Sequence, residues 1–220
     1  MKKINFFNNE INGESEKMTV FMRTCFKSVL CAFIVCSLIS MVSFDAQSKE
    51  ISGEVFRLHI LANSDSEEDQ NLKLEVRDAV QEFCCNIYGN AETKQEAEQI
   101  ISDNLDDIIS TAQDVVDSRG FDYRVGGEIV NMYFTNRVYE NITLPAGYYD
   151  AVRLTIGSGE GHNWWCVMFP PICISTSENT AEISDVLNEE QTELVTDGSY
   201  QYKFKIYELY QNLVNKLTEE

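Results

Sequence analysis

The chain has 220 residues and carries a formal net charge of −19, with 36 acidic residues against 17 basic ones. This length suits one domain or two small ones. The acidic composition argues against nucleic acid and against adsorption to anionic lipid, because both require a positive surface. A basic protein partner or loosely held calcium is compatible with such a surface.

Residues 1–44 are typical of a targeting segment. Basic residues precede an uncharged, mostly apolar run of seventeen residues from Ser28 to Phe44. That run is long for the apolar region of a signal peptide and slightly short for a bilayer span. The basic flank favours a cytoplasmic N-terminus with the rest of the chain outside. A buried core helix is the alternative, although a core helix would normally carry a polar face.

The start and the processing of this segment stay open. Met18 and Met22 are alternative first residues, and either would give a more ordinary signal sequence. The small-residue pattern at 46–48 fits a cleavage site only weakly. The sequence therefore predicts a basic and hydrophobic signal or anchor segment over 1–44, followed by an exported domain over 50–220 that is either free or tethered.

The exported part begins with one strand and one helix. Residues 54–62 alternate apolar with polar side chains, which predicts a strand. Ser66 is a good N-cap, and the acidic residues 67–69 suit a helix N-terminus. The helix continues with a stripe of apolar residues, and Gly89 is a plausible stop. The stripe consists of Leu72, Val76, Val80, Phe83 and Ile87.

The remaining elements complete an α+β pattern. A second helix is predicted from Thr93 to Gly120, with Glu96 completing a capping box. The later elements are strands over 123–125, 129–139, 148–156 and 164–169, an acidic loop over 175–199, and a helix over 203–217. The apolar side of this last helix is formed by Ile206, Tyr207, Tyr210, Leu213, Val214 and Leu217. This order predicts a single α+β domain, in which an antiparallel sheet packs against a helix pair, plus a C-terminal helix.

The stretch 159–173 holds both tryptophans, one of the two histidines and two of the seven cysteines. Cys166 and His162 could form a nucleophile and its base, but catalytic pairs are usually assembled from distant parts of a chain. We find no metal-binding spacing, and the oxygen-rich segment 63–69 lacks the glycine and the distal glutamate of a calcium loop. We therefore expect no catalytic residues, no metal and no cofactor.

Four cysteines follow the targeting segment, namely Cys84, Cys85, Cys166 and Cys173. An even number in an exported chain suggests oxidation. Cys166 and Cys173 flank six residues and could form a local disulfide. A bridge between Cys84 and Cys85 is disfavoured because adjacent helical side chains point about 100° apart. Buried free thiols are the alternative.

The two tryptophans fall on a predicted strand, so Trp164 and Trp165 should face opposite sides of the sheet. An outward tryptophan next to glycine and proline is a frequent interface anchor. We predict a partner-binding surface in this stretch, and packing of both rings in the core is the alternative. Its residues are His162, Asn163, Trp164, Trp165 and Phe169.

Long segments of the chain resemble the stage II sporulation protein R family of endospore-forming Firmicutes. The resemblance lies in the run FRLHILANSDSEEDQNLKLEVRDAV at 56–80 and in the run LPAGYYDAVRLTIGSGEGHNWWCVMFPPIC at 144–173. The segment YKFKIYELY at 202–210 is also similar to the C-terminal part of that family. The resemblance covers most of residues 54–210.

The resemblance implies a signalling role. Proteins of this family are made in the forespore and exported into the space between the two sporangial membranes. There they activate a membrane-embedded aspartic protease of the mother cell, which processes the precursor of sigma factor E. We therefore expect a non-enzymatic, exported protease activator. The alternatives are a secreted cysteine hydrolase that uses Cys166 and His162, and a cell-envelope binding domain.

Overall fold

A computed structural model describes residues 2–88, 91–139, 142–170, 186–197 and 201–218. The chain divides into two compact units, Met1–Ala46 and Gln47–Glu220. The helices are α1 (Lys2–Glu54), α2 (Glu67–Tyr88), α3 (Lys94–Asp103), α4 (Leu105–Ser118), α5 (Glu189–Thr196) and α6 (Gln201–Thr218). The strands are β1 (Phe56–Leu61), β2 (Val125–Phe134), β3 (Arg137–Tyr139), β4 (Ile142–Leu144), β5 (Gly147–Ile156) and β6 (Asn163–Phe169).

The first unit consists of helix α1 up to Ala46. Large apolar side chains between Met18 and Val42 are exposed along it. Among the described residues, no helix combines the length and the apolar character needed to cross a membrane.

The second unit is built on a four-stranded sheet in the order β2-β5-β1-β6. β5 pairs antiparallel with β2, and β6 pairs antiparallel with β1. The central pair, β1 and β5, is parallel, with Leu61 opposite Thr155. The predicted α+β domain is confirmed, although its sheet is mixed and not wholly antiparallel. A parallel neighbour for β1 needs a long crossover, and helices α2 to α4 lie within it.

Helices α2, α3 and α4 cover one face of the sheet. Phe56, Leu58 and Ile60 of β1 point into this helix-side core, where they join the apolar stripe of α2. Gly127 of β2 allows α4 to approach, because a Cβ there would lie 2.6 Å from Cγ1 of Ile109. The sequence predicts separate strands before and after this glycine, whereas the structure has one continuous strand β2 through it.

The predicted helix over 93–120 is interrupted at Asn104. The side-chain amide of Asn104 donates to the carbonyl of Ile100 at 2.7 Å, and its backbone N–H points to the carbonyls of residues 100–102. An asparagine side chain that bonds to a nearby backbone carbonyl competes with the helical hydrogen bonds and favours the end of a helix. The prediction of one helix was therefore wrong, whereas the Thr93 cap was right, because its hydroxyl accepts from the N–H of Glu96 at 3.2 Å.

The opposite face of the sheet is covered at one end by the β3–β4 hairpin, with α5 packed against β4. The α5 helix lies inside the segment predicted to be a loop. Asn188 and Gln191 form a capping box at its start, with bonds of 2.9 and 3.0 Å. The loop prediction was wrong for these residues, and the local capping signal could have revealed the helix.

Helix α6 confirms the predicted C-terminal helix, and its buried side shares Tyr207 with the predicted apolar side but differs from it at other positions. Phe204 and Tyr207 are buried, whereas Ile206 and Tyr210 are exposed. The amide of Asn136 anchors this helix by donating to the carbonyl of Phe204 at 2.8 Å. The helix therefore turns a different face to the domain than its apolar periodicity predicted.

Tyr88 joins the end of α2 to the edge strand β6. Its buried hydroxyl donates to the carbonyl of Met168. We expect Tyr88→Phe to lower the free energy of unfolding by about 1 to 2 kcal/mol, because it leaves a buried carbonyl without its donor. Urea denaturation measures this change. Tyr148→Phe removes a hydroxyl from a side chain that is 52% exposed and should change the stability by less than about 0.5 kcal/mol.

Candidate functional site

The two long motifs of the sequence meet as an interlocked pair of loops, which we call the double loop (residues 62–66 and 157–162). The carbonyl of Asn63 accepts from the Ser158 hydroxyl at 2.7 Å and from the backbone N–H of Glu160 at 3.3 Å. The Asn63 side chain accepts from the N–H of Ser158 at 3.0 Å. The N–H of Gly161 donates to the carbonyl of Ala62 at 2.9 Å. The loops therefore hold each other in place.

Two glycines make the double loop possible. Gly157 has a φ of +59°, and a Cβ there would lie 2.9 Å from Cγ of Asn63. Gly161 packs against the backbone of Ser64, so that a Cβ would lie 2.5 Å from the Ser64 carbonyl carbon. Only glycine allows backbone to approach backbone this closely.

Helix α2 fixes the underside of the double loop. The Asp69 carboxylate accepts from the amide of Asn63 at 2.9 Å and from the hydroxyl of Ser64 at 2.5 Å. Burial tends to raise the pKa of Asp69, but hydrogen bonds from Ser64, Asn63 and Tyr123 outweigh it and hold this pKa below its usual value. The ammonium of Lys73 donates to the carbonyl of His162 at 2.9 Å.

The oxygen-rich segment 63–69 therefore forms hydrogen bonds that hold the double loop together, which its residue spacing did not reveal. One carboxylate oxygen of Asp69, Oδ2, accepts from two protein donors, Asn63 and Ser64. Within the described parts of the chain, no group of three or more His, Cys, Asp or Glu side chains could hold a metal ion. Sequence reasoning missed Asn63, Asp65 and Lys73 as members of the site because their partners at 158–162 lie 89 to 97 residues further along. It missed Asp69 because the role of Asp69 is to hold Asn63 and Ser64 of the same loop.

His162 and Cys166 have different surroundings. The His162 side chain is 81% exposed, and its Nδ1 lies 2.5 Å from Asp65 Oδ1. That hydrogen bond is also the largest cause that lowers the pKa of Asp65. The Cys166 sulfur lies in the helix-side core and accepts from the amide of Gln81 at 2.9 Å. The fold does not place these two side chains as a nucleophile and its base.

Trp164 faces the helices and Trp165 the other side of the sheet, so the predicted opposite directions of the two rings are confirmed. The Trp164 ring is half-buried, and the guanidinium of Arg77 on α2 lies 4.4 Å from the ring centroid. A cation over an indole face is attracted by the ring quadrupole. Trp164 therefore ties β6 to α2. Phe169, at the other end of β6, is buried in the same core and exposes only 2% of its surface.

Trp165 faces the opposite side of the sheet. It stacks on His59 with ring centroids 4.0 Å apart, and the edge of Phe134 meets it at 4.7 Å. The guanidinium of Arg137, on the β3–β4 hairpin, lies 5.5 Å from the Trp165 centroid. Asn163, next to it on the same face, is exposed. Trp165 is thus both a packing residue and part of the surface.

Arg57 lies beneath this surface and is fully buried. Its guanidinium is surrounded by aromatic rings, with centroids at 4.1 Å for Phe134, 4.9 Å for Tyr149 and 5.7 Å for Tyr139. One guanidinium nitrogen donates to the Tyr139 hydroxyl, whereas Nε and Nη1 have no hydrogen-bond partner among the described residues. Burial lowers the pKa of Arg57, and the tyrosines partly oppose this shift.

The predicted disulfide involves Cys173, which lies outside the described residues. Cys84 and Cys85 are free thiols, as are Cys25, Cys31 and Cys36 of α1. Burial raises the pKa of the Cys84 thiol to about 12, so this sulfur is poorly reactive. The pairing of Cys166 with Cys173 stays a prediction.

Comparison with known proteins places these motifs in a family. The stage II sporulation protein R family matches residues 52–179. The stage II sporulation protein R of Bacillus subtilis (strain 168) is 33% identical over 147 residues, which cover 67% of this chain and 66% of the relative, just under two thirds of its length. No solved structure matches the chain. Both loops of the double loop lie inside the matched residues, and the chain belongs to the stage II sporulation protein R family.

Proposed function

We propose that this protein is an exported sporulation signal that activates a membrane-embedded aspartic protease by binding to it. The protease is embedded in a membrane of the mother cell, and the signal reaches it through the space between the two sporangial membranes. The activated protease processes the precursor of sigma factor E. The hydrophobic segment within residues 1–44 exports the domain or tethers it. Family membership supports the sporulation part of this proposal, since the family is one of sporulation signalling proteins.

The double loop and the adjacent strand end support an action by binding. His162 and Asn163 are exposed, and they follow directly from a loop that is fixed by Asp69, Lys73 and Gly161. A rigid, exposed edge loses little conformational entropy when a partner binds. This rigid edge is the observation that carries the proposal.

Activation by binding sets an energetic requirement. A ligand shifts a protease from an inactive to an active state only if it binds the active state more tightly. A change from 1:99 to 99:1 needs about 5.5 kcal/mol of difference in binding free energy. A few well-ordered contacts of a rigid edge can supply this difference, because a handful of interface residues usually dominates binding.

The proposal is tested by producing the full chain, the candidate protease and the sigma factor precursor together in a non-sporulating host. We expect processing of the precursor with the wild-type chain and none without it. The double variant His162→Ala/Asn163→Ala should reduce processing at least about tenfold. Its melting temperature should stay within about 3 °C of wild type, because the Asp65 carboxylate still accepts from the backbone N–H of residue 162.

The matched control is Gln99→Ala/Asp103→Ala, which removes two exposed side chains from α3. This variant should process the precursor like wild type. Full processing with the His162→Ala/Asn163→Ala variant would show that the exposed edge is not the contact. Absence of processing with the wild-type chain, despite correct export, would reject activation itself.

The cysteine hydrolase alternative makes an opposite prediction. A hydrolase would turn over a peptide, ester or glycan without the protease, and Cys166→Ser would abolish that turnover. The burial of Cys166 gives a substrate no access to its sulfur. We expect no turnover by the purified chain. A cell-envelope binding domain would instead sediment with cell wall material, which the same preparation can show.

We further propose a Cys166–Cys173 bridge, which thiol alkylation tests. After denaturation without reductant, the uncleaved chain should take up five labels, one for each free thiol, and reduction should raise this number to the seven cysteines of the sequence. Before denaturation, Cys84 should stay unlabelled because it is buried and its pKa is raised. Intact mass measures all three states. Seven labels without reductant would exclude the bridge.

A further inference from the structure

We propose that the surface formed by Arg137, Trp165 and Asn163 binds an acidic segment of the protein partner, with a partner carboxylate at the guanidinium of Arg137. The inference rests on the proposed function, since it names the chemistry of the partner's contact. We call this surface the arginine–tryptophan face. It lies on the side of the sheet opposite to helices α2 to α4.

Arg137 is an exposed cation on the β3–β4 hairpin. Among the described residues it takes part in no ion pair, although Arg77, Arg119 and Arg153 each have one. Its guanidinium lies instead over the ring of Trp165 at 5.5 Å. Stacking on indole leaves the edge of the guanidinium free to bind a carboxylate by two parallel hydrogen bonds.

Arg57 adds a second positive charge, and the ring of Phe134, which contacts both Arg57 and Trp165, connects it to this face. Arg57 is fully buried, and two of its nitrogens have no hydrogen-bond partner within the part of the chain that the structure describes. Arg57 and Arg137 repel each other, and this repulsion contributes to the lowered pKa of Arg57. In the described parts of the chain no carboxylate forms an ion pair with either guanidinium. A buried cation attracts an anion strongly because the surrounding dielectric is low.

The charge of the whole domain makes this spot selective. From Gln47 onward the chain has 12 basic and 32 acidic residues, so most of its surface repels acidic partners. The two cations next to the half-exposed indole of Trp165 depart from this overall charge. An acidic segment with an apolar residue beside its carboxylate matches both features, and such complementarity fixes the orientation of a complex.

A glutamate hexapeptide tests the binding directly on the full chain in detergent. In a Trp164→Phe background Trp165 is the remaining tryptophan, so its fluorescence reports on this face. We expect saturable binding of the glutamate peptide and none of a glutamine peptide of equal length. Arg137→Glu should weaken binding of the glutamate peptide at least about tenfold. Arg137→Lys should weaken it less, because lysine keeps the positive charge, but it should not bind like wild type, because lysine cannot stack on the indole.

Arg119→Glu is the matched control, because it makes the same change of net charge on an exposed arginine at the end of α4. It should bind the glutamate peptide like wild type. Arg137→Glu should not lower the melting temperature, because it replaces a cation that repels Arg57 by an anion that attracts it. Equal binding by Arg137→Glu and wild type, or equal binding of the glutamine peptide, would overturn the inference.

The processing assay separates this inference from the proposed function. Arg137→Glu should lose processing while Arg119→Glu keeps it. If wild type and Arg137→Glu process the precursor equally well, the arginine–tryptophan face is not the contact and activation still stands. If the wild-type chain processes nothing, activation fails, and the peptide titration alone decides whether the face binds carboxylates.

Discussion

Gly161→Ala should lower the free energy of unfolding by about 2 to 3 kcal/mol, because no side chain can fit where the two loops cross. A Cβ at this position would lie 2.5 Å from the carbonyl carbon of Ser64 and 3.0 Å from the Cβ of Ala62. The first neighbour is backbone, so relief requires that one loop move. Movement would strain the hydrogen bond between the Gly161 N–H and the Ala62 carbonyl.

Gly126→Ala is the control for this prediction. Gly126 lies in strand β2, and a Cβ there would have no neighbour within 4 Å. It should change the stability by less than about 0.5 kcal/mol. Chemical denaturation of both variants gives the comparison. If the two substitutions lower the free energy of unfolding equally, the double loop is not a rigid unit. The exposed edge at His162 and Asn163 would then no longer support the proposed binding.

Acidification from pH 7 to pH 4 should remove about 2 to 3 kcal/mol of stability through His59 alone. Burial is the largest cause that lowers the pKa of His59 to about 4, and the charges of Arg153 and Arg57 lower it further, whereas the Asn163 side chain, as an acceptor for the protonated ring, raises it. At pH values between the His59 pKa of about 6.5 in the unfolded chain and that of about 4 in the folded chain, the unfolded chain binds more protons than the folded chain. Stability is therefore complete above pH 6.5 and is lost as the pH falls towards 4.

His59→Phe isolates this effect. A phenyl ring keeps the stack on Trp165 and cannot be protonated. The difference in unfolding free energy between wild type and the variant should shift by about 2 to 3 kcal/mol over the same pH range. Urea denaturation at several pH values measures it. Asp65, Asp69 and Asp150 also have lowered pKa values, but their contributions are lost below about pH 4. A constant difference would contradict the assignment to His59.

The local elements could be predicted from the sequence because their signals are local. Ser66 caps α2 as expected, since its hydroxyl accepts from the N–H of Asp69 at 3.2 Å. The apolar alternation of β1 and the apolar stripe of α2 both point into the helix-side core. The opposite directions of Trp164 and Trp165 followed from strand geometry alone.

Local patterns failed where a tertiary contact decided the outcome. Gly127 predicts a break in a strand, but it serves the close approach of Ile109 from α4. The apolar side of α6 was misassigned because burial of Phe204 depends on Asn136, which belongs to a distant turn. In both cases the neighbour across the fold outweighs the intrinsic preference of the segment.

The sequence by itself determined the elements, the acidic charge, the family resemblance and the two motifs, but it did not bring those motifs together. The tertiary structure brings the two motifs together by pairing β1 with β5 in parallel. Because parallel strands end on the same side of a sheet, Leu61 and Thr155 lie opposite each other. Strand β6 starts at this side as well, with Asn163 opposite Leu61. The loops after β1 and β5 therefore meet, and no local periodicity encodes a pairing between strands about 95 residues apart.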